Sequence, residues 1–190
     1  MELRHHIEDF AKAVGSREIE IYKEFSLQHE LGLFLRNRLS DGKVQFERYI
    51  SHSDLSKTKF EKFEKKEIDI VITASGSGGA PHRNRTEIPK EWARARVYFS
   101  FCKDIAFLEQ LVPTPFQSGY FLAVVDHPHF YSGKGVDGIY GHFRRRVPIT
   151  GKITKPTGSK DYEITIEGSY VANWLPVSDK TKFCLVTVGG

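Results

Sequence analysis

Two strands limit what this chain can become. Glu67-Ile68-Asp69-Ile70-Val71-Ile72 carries β-branched residues at both odd and even positions. Gly119-Tyr120-Phe121-Leu122-Ala123-Val124-Val125-Asp126 is almost continuously apolar. A strand with one wet face alternates apolar and polar side chains; these two do not. Both faces must then be covered, which places the strands inside a sheet flanked by layers on each side. Helices are the expected cover. Ile7 to Val14 reads as a short helix stopped at Gly15, and Leu27, Leu31, Phe34, Leu35 and Leu39 recur at helical spacing. A long helix is predicted from Pro89, with Tyr98, Phe101, Cys102, Ile105 and Leu108 as its apolar stripe and Pro113 and Pro115 beyond its end.

Val44 to Ile50 predicts a further strand, and Ile139 to Arg145 a short helix. Two or three further strands are expected in the tail, at Tyr162 to Ile166, Tyr170 to Trp174 and Phe183 to Val188. Helix, strands, helix, strand is the order of a mixed α/β domain. At 190 residues the chain is read as a single domain able to bury its own core.

Composition narrows the function classes. Hydrophobic residues at 39% and aromatics at 13% argue against a disordered chain. No run approaches the 18 apolar residues of a membrane helix, and the charged N-terminal segment does not read as a signal peptide. Cys102 and Cys184 lie in apolar surroundings without a CxxC pair, so free buried thiols in a reducing compartment are expected, with the cytoplasm as location. The net charge of +4 is mild. It fits one basic face meeting a polyanion, with acidic groups kept elsewhere.

Asp69 is the first candidate for chemistry. A carboxylate within a β-branched strand is costly to bury alone. Either it sits at a solvated edge or pairs with an arginine, or it ligates a hard divalent cation. Glu30 is the second, an acid on the face of Leu27 and Phe34. Thr86-Glu87-Ile88-Pro89-Lys90 adds a carboxylate and an ammonium, equally suited to a capping turn or to the neighbourhood of a phosphate. Ser75-Gly76-Ser77-Gly78-Gly79 lacks the GK[ST] ending of a phosphate-binding loop. His127 and His129 read as surface residues.

Taken together, Glu30 to Leu35, Phe46-Glu47-Arg48-Tyr49-Ile50, Glu67 to Ile72 and Lys103-Asp104-Ile105-Ala106-Phe107-Leu108-Glu109-Gln110-Leu111 resemble the PD-(D/E)XK, restriction-endonuclease-like nuclease superfamily. The resemblance spans about residues 20–130 and leaves 131–190 as a β-rich C-terminal elaboration. It implies a mixed sheet flanked by helices and a metal-dependent nuclease hydrolysing DNA phosphodiester bonds. It casts Asp69 and Glu87 as ligands of Mg²⁺ (or Mn²⁺), Lys90 as the catalytic lysine and Glu30 as an accessory acid.

Two departures stand out. Glu67-Ile68 replaces the usual proline before the aspartate, and Glu87-Ile88-Pro89-Lys90 has two intervening residues where the pattern has one. An extra strand residue would put Glu87 and Lys90 on opposite faces unless a bulge intervenes. The alternative is a catalytically degenerate nuclease-fold protein that binds nucleic acid or a protein partner.

Arg83, Arg85, Arg94 and Arg96, with Arg144 and Arg145, are the expected phosphate contacts, to DNA rather than RNA. Tyr98, Tyr140 and Phe143 either stack on bases or pack internally. A homodimer is left open.

Overall fold

In a computed structural model, residues 3–40, 42–50, 67–74, 80–86, 94–112, 116–155 and 163–189 are described. The order is α1 (Leu3–Gly15), α2 (Glu24–Arg38), β1 (Gly42–Tyr49), β2 (Glu67–Ala74), β3 (Ala80–Thr86), α3 (Arg94–Leu111), β4 (Gly119–Val125), a 3-10 turn (Pro128–Phe130), α4 (Ile139–Arg144), β5 (Ile149–Thr154), β6 (Glu163–Tyr170), β7 (Asn173–Pro176) and β8 (Lys182–Val188). The mixed α/β class read from the sequence is what forms.

Six strands make one sheet in the order β1-β2-β3-β4-β8-β7, and β5 pairs with β6 in a separate ribbon. β2 is antiparallel to both β1 and β3; β3 and β4 are parallel; β8 is antiparallel to both β4 and β7. Parallel neighbours need a long crossover, and α3 lies within that connection.

The two apolar runs occupy the positions their composition demands. Every residue of β4 is buried. On one face, Ile70, Ile72, Leu122, Val124, Phe183 and Leu185 meet Ile7 and Phe10 of α1 and Leu27, Leu31 and Leu35 of α2. On the other, Phe121, Ala123, Val125, Cys184 and Val186 meet Tyr98, Cys102 and Ile105 of α3 together with Phe143 and Ile166. Cys102 and Cys184 are free and buried, and burial pushes both thiols well above the usual thiol range. Tyr98 and Phe143, candidates for base stacking, instead stack on each other at 4.6 Å inside this core.

The strands differ from the sequence reading in three places. β3, Ala80–Thr86, is a strand despite its polar composition, because β2 and β4 supply partners on both sides. β5 forms where no strand is expected, with an irregular register between Ile149 and Gly151. The two strands expected from Tyr162 to Trp174 divide differently, into β6 in the ribbon and β7 at the sheet edge. Among the described residues no helix is long and apolar enough to cross a membrane.

Candidate functional site

Asp69 lies half-buried in β2, between Ile70 in the core under α2 and Ile68 in a smaller cluster with Ile50, Val71, Phe107, Leu111 and Phe116. The changeover matters. Along β1, Val44 and Phe46 pack on the α2 side, while Arg48 stacks over Phe116 at 5.8 Å and Ile50 joins the smaller cluster. At the turn between them sits Glu47, with a left-handed backbone (φ 49°) inside a strand. The register pairs Phe46 with Ile70 and Arg48 with Ile68, so Glu47 stands opposite Asp69. A non-glycine residue in this region is strained by about 1–2 kcal/mol, and such strain collects at functional sites.

α2 is keyed to the same place. The Gln28 side-chain amide, buried at the inner face of the helix, donates to the backbone carbonyl of Asp69 at 2.8 Å. One turn on, Gly32 lies against the Phe46 ring, where a Cβ would collide. A further turn on, Arg36 donates to the Val44 carbonyl at 3.4 Å and lies 5.7 Å over the Phe46 ring. The helix therefore runs antiparallel to β1, each turn matched to a strand position. Glu30, expected on the apolar stripe, sits at its margin. Leu27, Leu31 and Leu35 are fully buried, whereas the Glu30 side chain is 37% exposed and pairs with His29 Nδ1 at 3.4 Å. Glu30 and Asp69 are thus carried by adjacent elements joined through Gln28.

Glu87 and Lys90 lie outside the described residues. The chain reaches them directly from the end of β3, whose Thr86 pairs with Val124 of the buried β4. Arg83 and Arg85 belong to β3, on the register positions beside Phe121 and Ala123. Arg94 begins α3, and Arg96 is exposed on its first turn. Arg144 is committed within the molecule: it donates to the carbonyls of His129 (2.8 Å) and Gly135 (2.7 Å) and stacks 4.6 Å from the Tyr140 ring. Arg145 is exposed. His127 and His129 are exposed as expected, with the His129 amide donating to His127 Nδ1 at 3.3 Å.

Three residues near these elements escape a motif-based reading: Gln28, Glu47 and Asp104. Asp104 is buried on α3. Its signal was present, an acid between Cys102 and Ile105, and is the same local inconsistency that drew attention to Glu30. Gln28 and Glu47 carry no such signal, because their roles depend on the opposing strand. The carboxylates of Asp69, Glu30 and Glu47 offer hard oxygen donors, the chemistry that suits Mg²⁺ or Mn²⁺ better than zinc. Among the described residues no group of three or more His, Cys, Asp or Glu side chains is assembled to hold a metal ion.

Comparisons with known protein families, with curated proteins and with solved structures find no match to this chain.

Proposed function

We propose that the chain is a divergent restriction-endonuclease-like nuclease that hydrolyses DNA phosphodiester bonds with a divalent metal. The observation that carries this reading is topological. An antiparallel β1-β2-β3 meander, the α3 crossover and a parallel β4 bring half-buried Asp69 of β2 beside the strand that leads into Glu87. That strand order supports the motif resemblance. The strained Glu47 opposite Asp69 and the Gln28 tether to its backbone support it.

Asp69 and Glu87 would hold Mg²⁺ or Mn²⁺, which when bound supplies positive charge to the phosphate and a more acidic water. The chain's own residues do the rest. Gln28 fixes the backbone that presents Asp69, and Glu30 adds negative charge at the margin. Lys90 contributes charge beside the phosphate. Arg83, Arg85, Arg94, Arg96 and Arg145 are the phosphate contacts that hold the substrate. Arg144, bound to two carbonyls, shapes the C-terminal region instead.

The test is plasmid cleavage with Mg²⁺ or Mn²⁺, wild type beside Asp69→Asn. The wild type cuts, and the variant loses at least about a hundredfold in rate while still binding DNA. Absence of metal-dependent cleavage of any DNA or RNA would sink the enzyme reading. A salt-dependent gel shift without cleavage would support the degenerate binding protein, which the two-residue spacing of Glu87 and Lys90 favours.

A further inference from the structure

The net charge of +4 is not spread evenly over the molecule. Residues 126–146 and 179–182 hold six cations, Lys134, Arg144, Arg145, Arg146, Lys180 and Lys182, against three acids, Asp126, Asp137 and Asp179. These two segments therefore supply +3 of the +4.

Contacts join the two segments into one surface. The Tyr131 hydroxyl donates to the Lys180 carbonyl at 3.0 Å, and Lys182 Nζ lies 4.1 Å from the centre of the same ring. Beyond Tyr131, Lys134 stands exposed between Gly133 and Gly135, and both glycines lie against the Arg144 guanidinium. Arg144 donates to the carbonyls of His129 and Gly135, and the Tyr98 hydroxyl to that of Phe130 at 2.8 Å, so the loop is fastened to α4 and to the core. Arg145 and Arg146 follow directly and are exposed, Arg146 with a left-handed backbone (φ 56°).

On α1, Arg4 pairs with Glu8 and Lys12 with Asp9; on the ribbon, Lys152 pairs with Glu163. Among the described residues none of the six cations of this tract pairs with a carboxylate. Arg144 has carbonyls and the Tyr140 ring as partners, and Lys182 has the Tyr131 ring. Such partners leave the positive charge in place. Like charges held together raise the local potential and draw a polyanion.

The tract opens at the same edge of the sheet as the candidate site. β3 and β4 are parallel, so Thr86 leads toward residues 87–90 at the edge where Val125 leads into the tract. Lys182 stands opposite Val125. β2 is antiparallel to β3, so its Glu67 end, with Asp69 two residues in, lies at that edge too. Three strand spacings separate β2 from β8, about 14 Å, well within one turn of a duplex, about 34 Å.

The aromatic residues decide between paired and unpaired nucleic acid. Tyr131 has Lys182 over its ring and Trp174 beside it at 5.7 Å. Tyr140 has Arg144 over its ring and Tyr98 beside it at 5.5 Å. Single-strand sites pair charge with rings on which bases stack. Here the rings are engaged and the charge alone is offered, which suits a ligand with its bases inside and its phosphates outside.

We infer that Lys134, Arg145, Arg146, Lys180 and Lys182 form a tract that grips the phosphate backbone of double-stranded nucleic acid, with Arg144 holding the loop in position. The substrate class of the Asp69 site is then a duplex. This deepens the nuclease reading and rests on it for the choice of nucleic acid, but the two fail separately.

The experiment measures anisotropy of a fluorescein-labelled blunt duplex of twenty base pairs and of oligo-dT of the same length, across a salt series with EDTA present. Lys134→Gln/Arg145→Gln/Arg146→Gln is compared with wild type and with Arg4→Gln/Lys12→Gln/Arg17→Gln, which removes the same charge from α1 and its C-terminal end. All are checked for fold by circular dichroism. Wild type is expected to bind duplex more tightly than oligo-dT. The tract variant is expected to lose at least about tenfold in duplex affinity at 0.1 M salt, with a salt slope shallower by about 2–3, and the α1 variant less than about twofold.

Duplex binding unchanged in the tract variant overturns the tract, and so does an equal loss in the α1 variant. Oligo-dT bound as tightly as duplex overturns the duplex assignment. Tract-dependent binding to phosphatidylserine vesicles without duplex binding overturns it in favour of a membrane surface. Asp69-dependent cleavage with tract-independent binding removes the tract alone. Tract-dependent duplex binding without metal-dependent cleavage removes the nuclease reading alone.

Discussion

Glu47 is the residue where conformation and placement disagree most. It is exposed, so no burial holds it, yet its backbone is left-handed in the interior of a strand. Glycine reaches that conformation without the Cβ penalty. Glu47→Gly is therefore expected to stabilise the fold by about 1 kcal/mol, the relief of strain exceeding the added freedom of the unfolded chain. A rise in the urea midpoint at unchanged m-value is the result to look for. An unchanged or lower midpoint would mean that the Glu47 side chain makes a contact worth as much as the strain. The substitution also bears on the site: a stabilised variant with slower cleavage would place the carboxylate among the groups Asp69 works with.

At the scale of elements, the β5-β6 ribbon shows how one carboxylate can hold a structure in place. Glu109 on α3 accepts hydrogen bonds from the backbone amide of Glu167 at 3.0 Å, from the backbone amide of Gly168 and from the Tyr170 hydroxyl at 2.9 Å. Glu109→Ala leaves three donors of β6 without that acceptor. A loss of about 1–2 kcal/mol is expected, since water can replace part of what is removed. Hydrogen exchange should quicken at Glu167 and Gly168 and leave β4 unchanged. Glu109→Gln, with one acceptor oxygen in place of two, falls between. Exchange at β6 no faster than in the wild type would show that Ile164 and Ile166 alone seat the ribbon.

Elements like these also show where sequence reading reaches. β2 and β4 were legible because their side chains record burial on both faces, and α3 because its apolar stripe records burial on one. β3 was not legible as a strand: Ala80-Pro81-His82-Arg83-Asn84-Arg85-Thr86 records neither, and its place is set by hydrogen bonds to β2 and β4 that no local composition encodes. Asp69 was legible as an acid out of place among isoleucines. Which aromatic rings stay in solvent was not. An exposed ring differs from a core ring only in what lies opposite it, and Tyr22, Phe25 and Tyr49 are exposed while Tyr98 is fully buried. Tyr98 and Phe143 mark the same limit from the other side, aromatic residues among basic ones that turn out to pack on each other.

For the whole molecule the question is whether the C-terminal third is an addition or part of the core. The nuclease resemblance ends near residue 130, but the central sheet does not. β8 pairs with β4 over seven successive residues, from Gly119 with Val188 to Val125 with Lys182. Its side chains feed both layers: Phe183 stacks on Phe10 of α1 at 5.9 Å, while Cys184 and Val186 pack with α3. Trp174 of β7 donates to the Phe143 carbonyl at 2.6 Å, closing α4 onto the sheet. A chain ending at residue 130 would expose one edge of β4, its longest apolar strand, and uncover Phe10, Phe121 and Tyr98. Removing several fully buried aromatic and aliphatic side chains at about 2–5 kcal/mol each exceeds the 5–15 kcal/mol by which a domain is usually stable. The fragment 1–130 is therefore expected to lack a cooperative thermal transition, and to aggregate through the bared β4 edge. A soluble fragment with a sharp transition would instead show that β1–β4 and the three long helices close a core by themselves, and that β7 and β8 were laid against a sheet already complete.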